Sequence, residues 1–285
     1  MDARRGPHVR AIALELKERI GELALADPRW GCDRIARTLL TAGSAVSPGA
    51  VQDVLNARRL GTCAERCAVL QRDPDGVLSA EQEAAVSEHN PRWASRHERG
   101  QAPGARMVAG AAPLGRVHGI GRVLLVAVVD TYSGYALARL AAARSGEADP
   151  VSLLGDALPG FFTRIAVPPG VILLDPSVVL RFRRAGPTNG GTPPAASLDL
   201  DAEPDGPATL NGWIEHLRRL VVLQVFRPAL GNGDHPSLPM LAMALAEWLH
   251  RYNHDRAQQG FPCYGSTPGA SIERWLARRR RARAR

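Results

Sequence analysis

The sequence predicts a small all-α domain followed by a larger α/β domain, and three observations carry that prediction. Apolar residues recur at helical spacing from Ile12 to Leu55. Val123-Leu-Leu-Val-Ala-Val-Val129 is a continuous, β-branched apolar run of strand length. Beyond it, a second apolar run, Gly170 to Asp175, is followed by two amphipathic segments, Thr209–Leu230 and Leu238–His254, so strands and helices mix in one domain. The 285 residues accommodate two domains, and a hydrophobic content of 45% supports packed cores rather than disorder.

The leading segment, Val9 to Ala26, carries Ile12, Leu14, Leu16, Ile20, Leu23 and Leu25 in a helical pattern that stops before Asp27-Pro28. Trp30-Gly31-Cys32-Asp33 opens a second helix with Ile35, Leu39 and Leu40 as its apolar residues. Thr41-Ala-Gly-Ser44 reads as a turn. Ser47-Pro48 starts a third helix, with Ser as N-cap and Pro at the first helical position. Val51, Val54 and Leu55 form its buried face. Two short helices joined by a Gly-containing turn make a helix-turn-helix candidate. Gln52, Asn56, Arg58 and Arg59 would then meet DNA, the amides suiting adenine edges and the guanidinium groups guanine or phosphate. A plain helical bundle with a polar outer face is the other reading. We place this domain at residues 1–72.

Residues 73–102, with Asp73-Pro-Asp-Gly76 and Asn90-Pro91, read as a linker that includes a short polar helix after Ser79. The α/β domain follows at 103–275. Val123–Val129 is a strand, Asp130-Thr-Tyr-Ser-Gly134 a turn, and Tyr135–Leu140 the returning strand of a hairpin. A short helix is expected over Asp149–Leu158 and a strand over Gly170–Asp175. Residues 185–208, rich in Gly, Pro and Thr, read as a loop. Asn211-Gly212 is a turn signal at the head of a helix whose apolar face is Ile214, Leu217, Val221 and Leu223/Gln224, with Glu215 in its first turn, where the dipole favours a carboxylate. On its own that Glu is an ordinary solvated helix charge. Leu241, Leu245, Trp248, Leu249 and Tyr252 share one side of the last long amphipathic segment, and His250 and His254 read as its solvated face.

The formal net charge is +8, and Lys17 is the sole lysine. Arg278, Arg279, Arg280, Arg281, Arg283 and Arg285 form a basic run with no acid among them at 276–285, read either as a disordered polyanion-binding arm or as a merely solvating tail. Cys63 and Cys67 have no second ligand pair near them in sequence, which argues against a zinc site. With four cysteines, no visible signal peptide and no apolar run long enough to span a bilayer, the chain reads as a cytoplasmic, nucleoid-associated protein with reduced thiols and no membrane partner.

Several stretches together resemble the DDE transposase/integrase superfamily, closest to bacterial insertion-sequence transposases with an N-terminal helix-turn-helix. They are Trp30-Gly31 through Ser47-Pro48, Gly119-Ile-Gly-Arg122 through Asp130-Thr-Tyr-Ser-Gly134, Asn211-Gly-x-x-Glu215, Tyr252-Asn253-x-x-Arg256, and Thr267-Pro268. The likeness covers about residues 9–70 and 103–275, nearly the whole chain. It implies an RNase H-like integrase core, a mixed sheet flanked by helices, behind the helix-turn-helix domain. It further implies double-stranded DNA as partner and action as a homo-oligomer on DNA in transposition, recombination or integration. Three carboxylates would hold two Mg²⁺ or Mn²⁺ ions for in-line attack on a phosphodiester. Asp175 and Glu215 match the second and third.

The first acid has no match. Counting forward from Pro103-Gly104 and back from Gly119-Ile-Gly-Arg122 both lead to Gly110. Asp175 is followed by Pro176-Ser177 where the family has Asn-Gly, and Ala257 and Gln258 stand for a Pro and a His. Three readings follow: a family member whose fold and DNA binding persist without chemistry, with either no metal or one ion held weakly by Asp175 and Glu215; an active strand transferase with a displaced acid (Asp130 being the one to consider); and a helix-turn-helix transcription regulator. The sequence favours the first.

Overall fold

The computed structural model describes residues 12–72, 77–143, 171–174, 180–182, 198–200, 210–231 and 236–284. The chain divides into two compact units, Met1–His89 and Asn90–Arg285.

The first unit is all helical: α1 Leu14–Ala26, α2 Cys32–Thr41, α3 Pro48–Ala57, α4 Cys63–Leu70 and α5 Ala80–His89. Ile20, Leu23, Ile35, Leu39, Val51, Val54 and Leu55 meet in one buried cluster, as their helical spacing demands. The Ser47 hydroxyl accepts from the Ala50 amide to cap α3, and Thr62 with Glu65 forms a reciprocal capping box on α4. Arg66 is buried, and its guanidinium donates to the carbonyls of Leu60, Pro28 and Trp30 at 2.7, 3.2 and 2.6 Å. It ties the α1–α2 connection to the α3–α4 turn.

The second unit opens with the short helix α6, Pro91–Ala94, and a 3₁₀ turn, Arg96–Glu98. Its sheet has β1 Arg106–Val117, β2 Gly121–Asp130, β3 Ala136–Ala143 and β4 Val171–Leu174, in the order β3-β2-β1-β4. β1 pairs antiparallel with β2 and parallel with β4, and β2 pairs antiparallel with β3, so the sheet is mixed. β5 Leu180–Phe182 and β6 Leu198–Leu200 form a separate antiparallel pair. Helix α7, Gly212–Val221, runs through a π turn, Val222–Phe226, into α8, Arg227–Gly231; α9 is Leu238–His254 and α10 is Pro268–Arg283. Among the described residues no helix is long and apolar enough to cross a membrane.

The sheet has two buried faces. Met107, Ala109, Val126, Val128 and Ala141 cluster with Ile272 of α10. Strand alternation therefore turns Val108, Gly110, Ala112, Leu125, Ala127 and Val129, all buried, to the other side. α7 packs on β1 and β2, and none of its described residues belongs to the cluster facing α10, which assigns it to this second face.

Three expectations are corrected. The segment read as linker is divided between the units: the helix expected after Ser79 is present as α5 and belongs to the first, while Asn90, Arg92 and Trp93 are buried in the second. Asn90-Pro91 marks a helix start rather than a loop, because Pro suits the first helical position. The segment 185–208 contains β6, whose pairing with β5 supplies its backbone bonds. The basic run from Arg278 to Arg283 is helical, continuous with α10. Thr267 caps that helix, nothing after Gly269 breaks it, and Arg is a strong helix former that suits the C-terminal end of the dipole. The helix expected over Asp149–Leu158 lies outside the described residues.

Candidate acidic site and nucleic-acid interface

Glu215 stands in the first turn of α7, on the helix that covers the Gly110 side of the sheet. The segment before it is fixed by the α6 region. Asn211 caps the helix by accepting from the Trp213 amide at 3.0 Å, and its amide nitrogen donates to both Glu98 carboxylate oxygens at 3.0 and 2.9 Å. The Gly212 amide donates to the Ser95 hydroxyl at 3.2 Å and the Trp213 indole N–H to the Ser95 carbonyl at 3.3 Å. A Cβ on Gly212 would stand 2.1 Å from the Pro91 carbonyl oxygen. Asn211-Gly212 is thus required by a helix cap and a close backbone approach, independently of any chemistry at Glu215.

Glu215 is neutralised on its own helix. Arg218 donates to both carboxylate oxygens at 2.6 and 2.9 Å, and Arg219 donates at 2.6 Å. Burial pushes its carboxyl up, but the hydrogen bonds and charges of the two arginines outweigh that and hold it below its ordinary value. The two partners stand at i+3 and i+4 from Glu215, a helical ion-pair spacing that the sequence itself displays.

Asp175, which the resemblance would make the second acid, lies outside the described residues. Its chain neighbour is placed: Leu174 pairs with Ala109 in the parallel β1–β4 ladder. The residue before Asp175 is therefore opposite the residue before Gly110. Gly110 itself is buried in β1, opposite Ala127 of β2, and offers no side-chain oxygen.

Asp130 does not stand in for the missing acid. Alternation along β2 sets it with Val126 and Val128, on the side of the sheet away from Gly110 and α7. It is fully buried and its oxygens are occupied. Oδ1 accepts from the Gly104 amide at 2.9 Å, and Oδ2 accepts from the Ser133 amide at 3.0 Å and from the Ser133 hydroxyl. Burial raises its pKa against these bonds. It is the organising carboxylate of the β2–β3 turn. Among the described residues no three His, Cys, Asp or Glu converge as a metal site.

The other stretches of the resemblance also have structural work. The Asn253 amide pairs with both backbone groups of Ala136, accepting from its N–H at 3.0 Å and donating to its carbonyl at 2.8 Å, as a neighbouring strand would. The Tyr252 hydroxyl donates to the Gly134 carbonyl at 3.3 Å. Arg256 and Trp248 both donate to Gln224 Oε1, at 2.8 and 3.0 Å, joining α9 to the π turn. His254, expected on a solvated face, instead is half-buried with Nε2 3.3 Å from the Tyr135 hydroxyl. The preceding turn of α9 leaves His250 exposed.

In the first unit, α3 is exposed along Asp53, Asn56 and Ala57. Gln52 is less available than its type suggested. Its Oε1 accepts from Cys32 Sγ at 3.1 Å and its amide nitrogen donates to Asn56 Oδ1 at 2.8 Å, which knits α3 to the start of α2. Arg58 is the C-cap of α3 and Arg59 follows with φ 55, so both lie at the end of the helix rather than along its face. A Cβ on Gly21 would meet an Arg58 nitrogen at 2.7 Å, so that guanidinium lies over α1. Arg278, Arg280 and Arg281 are exposed on α10, and Arg279 lies 5.2 Å from the Trp275 ring centre.

No family model matches the sequence and no curated protein matches it. Among solved structures, a chain of the cryo-EM structure of the simian T-cell lymphotropic virus intasome in complex with PP2A regulatory subunit B56 gamma is similar at 15% identity. The match covers 72% of this chain and 74% of that one, with a TM-score of 0.39.

Proposed function

We propose that the chain is a duplex-DNA-binding protein of the transposase/integrase type, with a helix-turn-helix first unit and an RNase H-like second unit that does not carry out strand transfer. The observation that carries this reading is the Ala109–Leu174 pairing. It sets the residue before Gly110 opposite the residue before Asp175; the resemblance asks for an acid at each of the two positions that follow, and the sequence has glycine at the first. The mixed sheet with α7 on the Gly110 side supports the core architecture.

The residues present do not fit a two-metal centre. Mg²⁺ takes oxygen ligands in strict geometry. Gly110 supplies none, Glu215 is already satisfied by Arg218 and Arg219, and Asp130 is occupied on the other face. No catalytic step is assigned to the site. What remains for the chain to do is bind: α3 presents Asn56 and α10 presents arginines.

The test is a supercoiled-plasmid assay with Mg²⁺ or Mn²⁺, run beside Glu215→Gln. Wild type should retard the plasmid and nick it no faster than the variant. Nicking by wild type that the variant lacks overturns the reading, as does failure to bind duplex DNA.

A further inference from the structure

The arginine run is carried on a docked helix, and the helix sorts its charges. Ile272 is buried against the sheet and Leu276 packs partly against the same cluster. At 100° per residue, Arg274, Arg278 and Arg281 fall within about 60° of one another, on the side of α10 opposite Ile272 and Leu276. All three are exposed. Arg279 and Arg283 lie on the Ile272 side, beyond the part of the helix that is packed. No acid occurs after Glu273.

We propose that the Arg274–Arg278–Arg281 stripe is a preformed phosphate-binding edge that grips one strand of duplex DNA, an inference that rests on the DNA-binding reading above. From Arg274 to Arg281 the helix rises about 10.5 Å. One strand of a duplex presents a phosphate about every 3.4 Å along its axis, so the stripe spans about three. Guanidinium groups held on a helix keep their spacing without the ordering cost a flexible arm would carry on binding. A membrane surface is the poorer partner. Interfacial helices insert a bulky apolar face, and here that face, Ile272 with Leu276, is turned into the protein. The exposed turns beyond it carry only alanines among the arginines.

The experiment uses the full chain and three variants with intact far-UV circular dichroism of the folded core. Arg274→Ala/Arg278→Ala/Arg281→Ala removes the stripe. Arg279→Ala/Arg280→Ala/Arg283→Ala removes equal charge from the remaining sides. Ala277→Pro keeps every arginine and breaks the helix between its anchored and exposed turns. Binding to a random-sequence duplex is followed across salt. The stripe variant should lose at least about tenfold in affinity and about 2.7 in the slope of log K against log salt. The off-stripe variant should lose clearly less, and Ala277→Pro should fall toward the stripe variant. Equal losses in the two triple variants, or an unaffected Ala277→Pro, overturn the stripe while leaving DNA binding standing. Wild type that binds phosphatidylserine vesicles through the stripe but binds no duplex overturns both.

Discussion

Arg218 closes a fork on Glu215, with Nε 2.6 Å from one carboxylate oxygen and Nη2 2.9 Å from the other, one turn along the same helix. Arg219 adds a third bond at 2.6 Å. A carboxylate so engaged belongs to the helix before it belongs to a metal.

That engagement sets a pH dependence. Glu215 has a folded-state pKa below its ordinary value. Its contribution is therefore complete above the unfolded carboxylate pKa, about 4.3, and is lost as pH falls through the folded value. Glu215→Gln should cost up to about 1 kcal/mol at neutral pH, the scale of two helical ion pairs. The gap between wild type and variant should close as the solution is acidified, and narrow in high salt. Urea denaturation at pH 7 and in acid measures it; a gap that persists in acid would mean the arginines are not what Glu215 serves.

Gly212→Ala tests whether packing fixes the residue type before Glu215. The new Cβ would stand 2.1 Å from the Pro91 oxygen, 2.8 Å from the Pro91 carbonyl carbon and 2.9 Å from Ser95 Oγ. Two of these atoms are backbone and cannot swing aside. The substitution should destabilise the second unit by about 1–3 kcal/mol, the scale of overpacking, and the loss should be the same with and without Mg²⁺. Thermal melts in EDTA and in Mg²⁺ distinguish this from a role tied to metal.

The elements were largely legible because their signals are local. Ser47-Pro48 and Thr267-Pro268 announce helix starts, and Val123–Val129 can only be a buried strand at that length. The parallel pairing of β1 with β4 was not legible, because register between strands separated by more than fifty residues depends on tertiary packing. Nor was the role of residues 90–98. Asn90, Ser95 and Glu98 look like linker composition, yet Asn90 donates to the Phe261 carbonyl and the other two hold Asn211 to Trp213. Polar residues that satisfy distant backbone groups carry no pattern along the chain. The same reasoning explains Arg278–Arg283: composition reported the charge, and only the continuous helix from Thr267 decided its conformation.

Asn253 provides a sharper case. Its side chain completes the backbone bonding of Ala136 at the start of β3, through both oxygen and nitrogen. Asn253→Ala should leave two buried backbone groups unpaired, at about 1–3 kcal/mol each. Asn253→Asp keeps the acceptor for the Ala136 N–H, but only its protonated form still has a donor for the Ala136 carbonyl. Once ionised, it also sets a negative charge against that carbonyl. Its destabilisation should therefore grow as pH rises through the carboxylate range. Chemical denaturation of both variants against pH checks this, and a flat profile for Asn253→Asp would show that the second bond contributes nothing.

Asp130 reverses the pH behaviour of Glu215. Burial raises its pKa in the folded state, against the bonds from Ser133 and Gly104. A group with a raised folded pKa contributes stability that is complete below the unfolded value and is lost as pH rises through the folded one. The protonated acid retains the turn if the Ser133 hydroxyl changes from donor to acceptor, which a freely rotating O–H permits. Asp130→Asn removes the titration but presents an amide where the oxygens now receive the Gly104 and Ser133 amides. At least one donor then faces a donor, a loss of about 1–3 kcal/mol. The variant should be less stable than wild type in mild acid, and the difference should shrink as pH rises and wild type alone meets the cost of a buried charge. Adding Mn²⁺ should move neither midpoint more than the other. If Mn²⁺ stabilises wild type and not Asp130→Asn, the carboxylate binds metal and the chain has a displaced first acid after all.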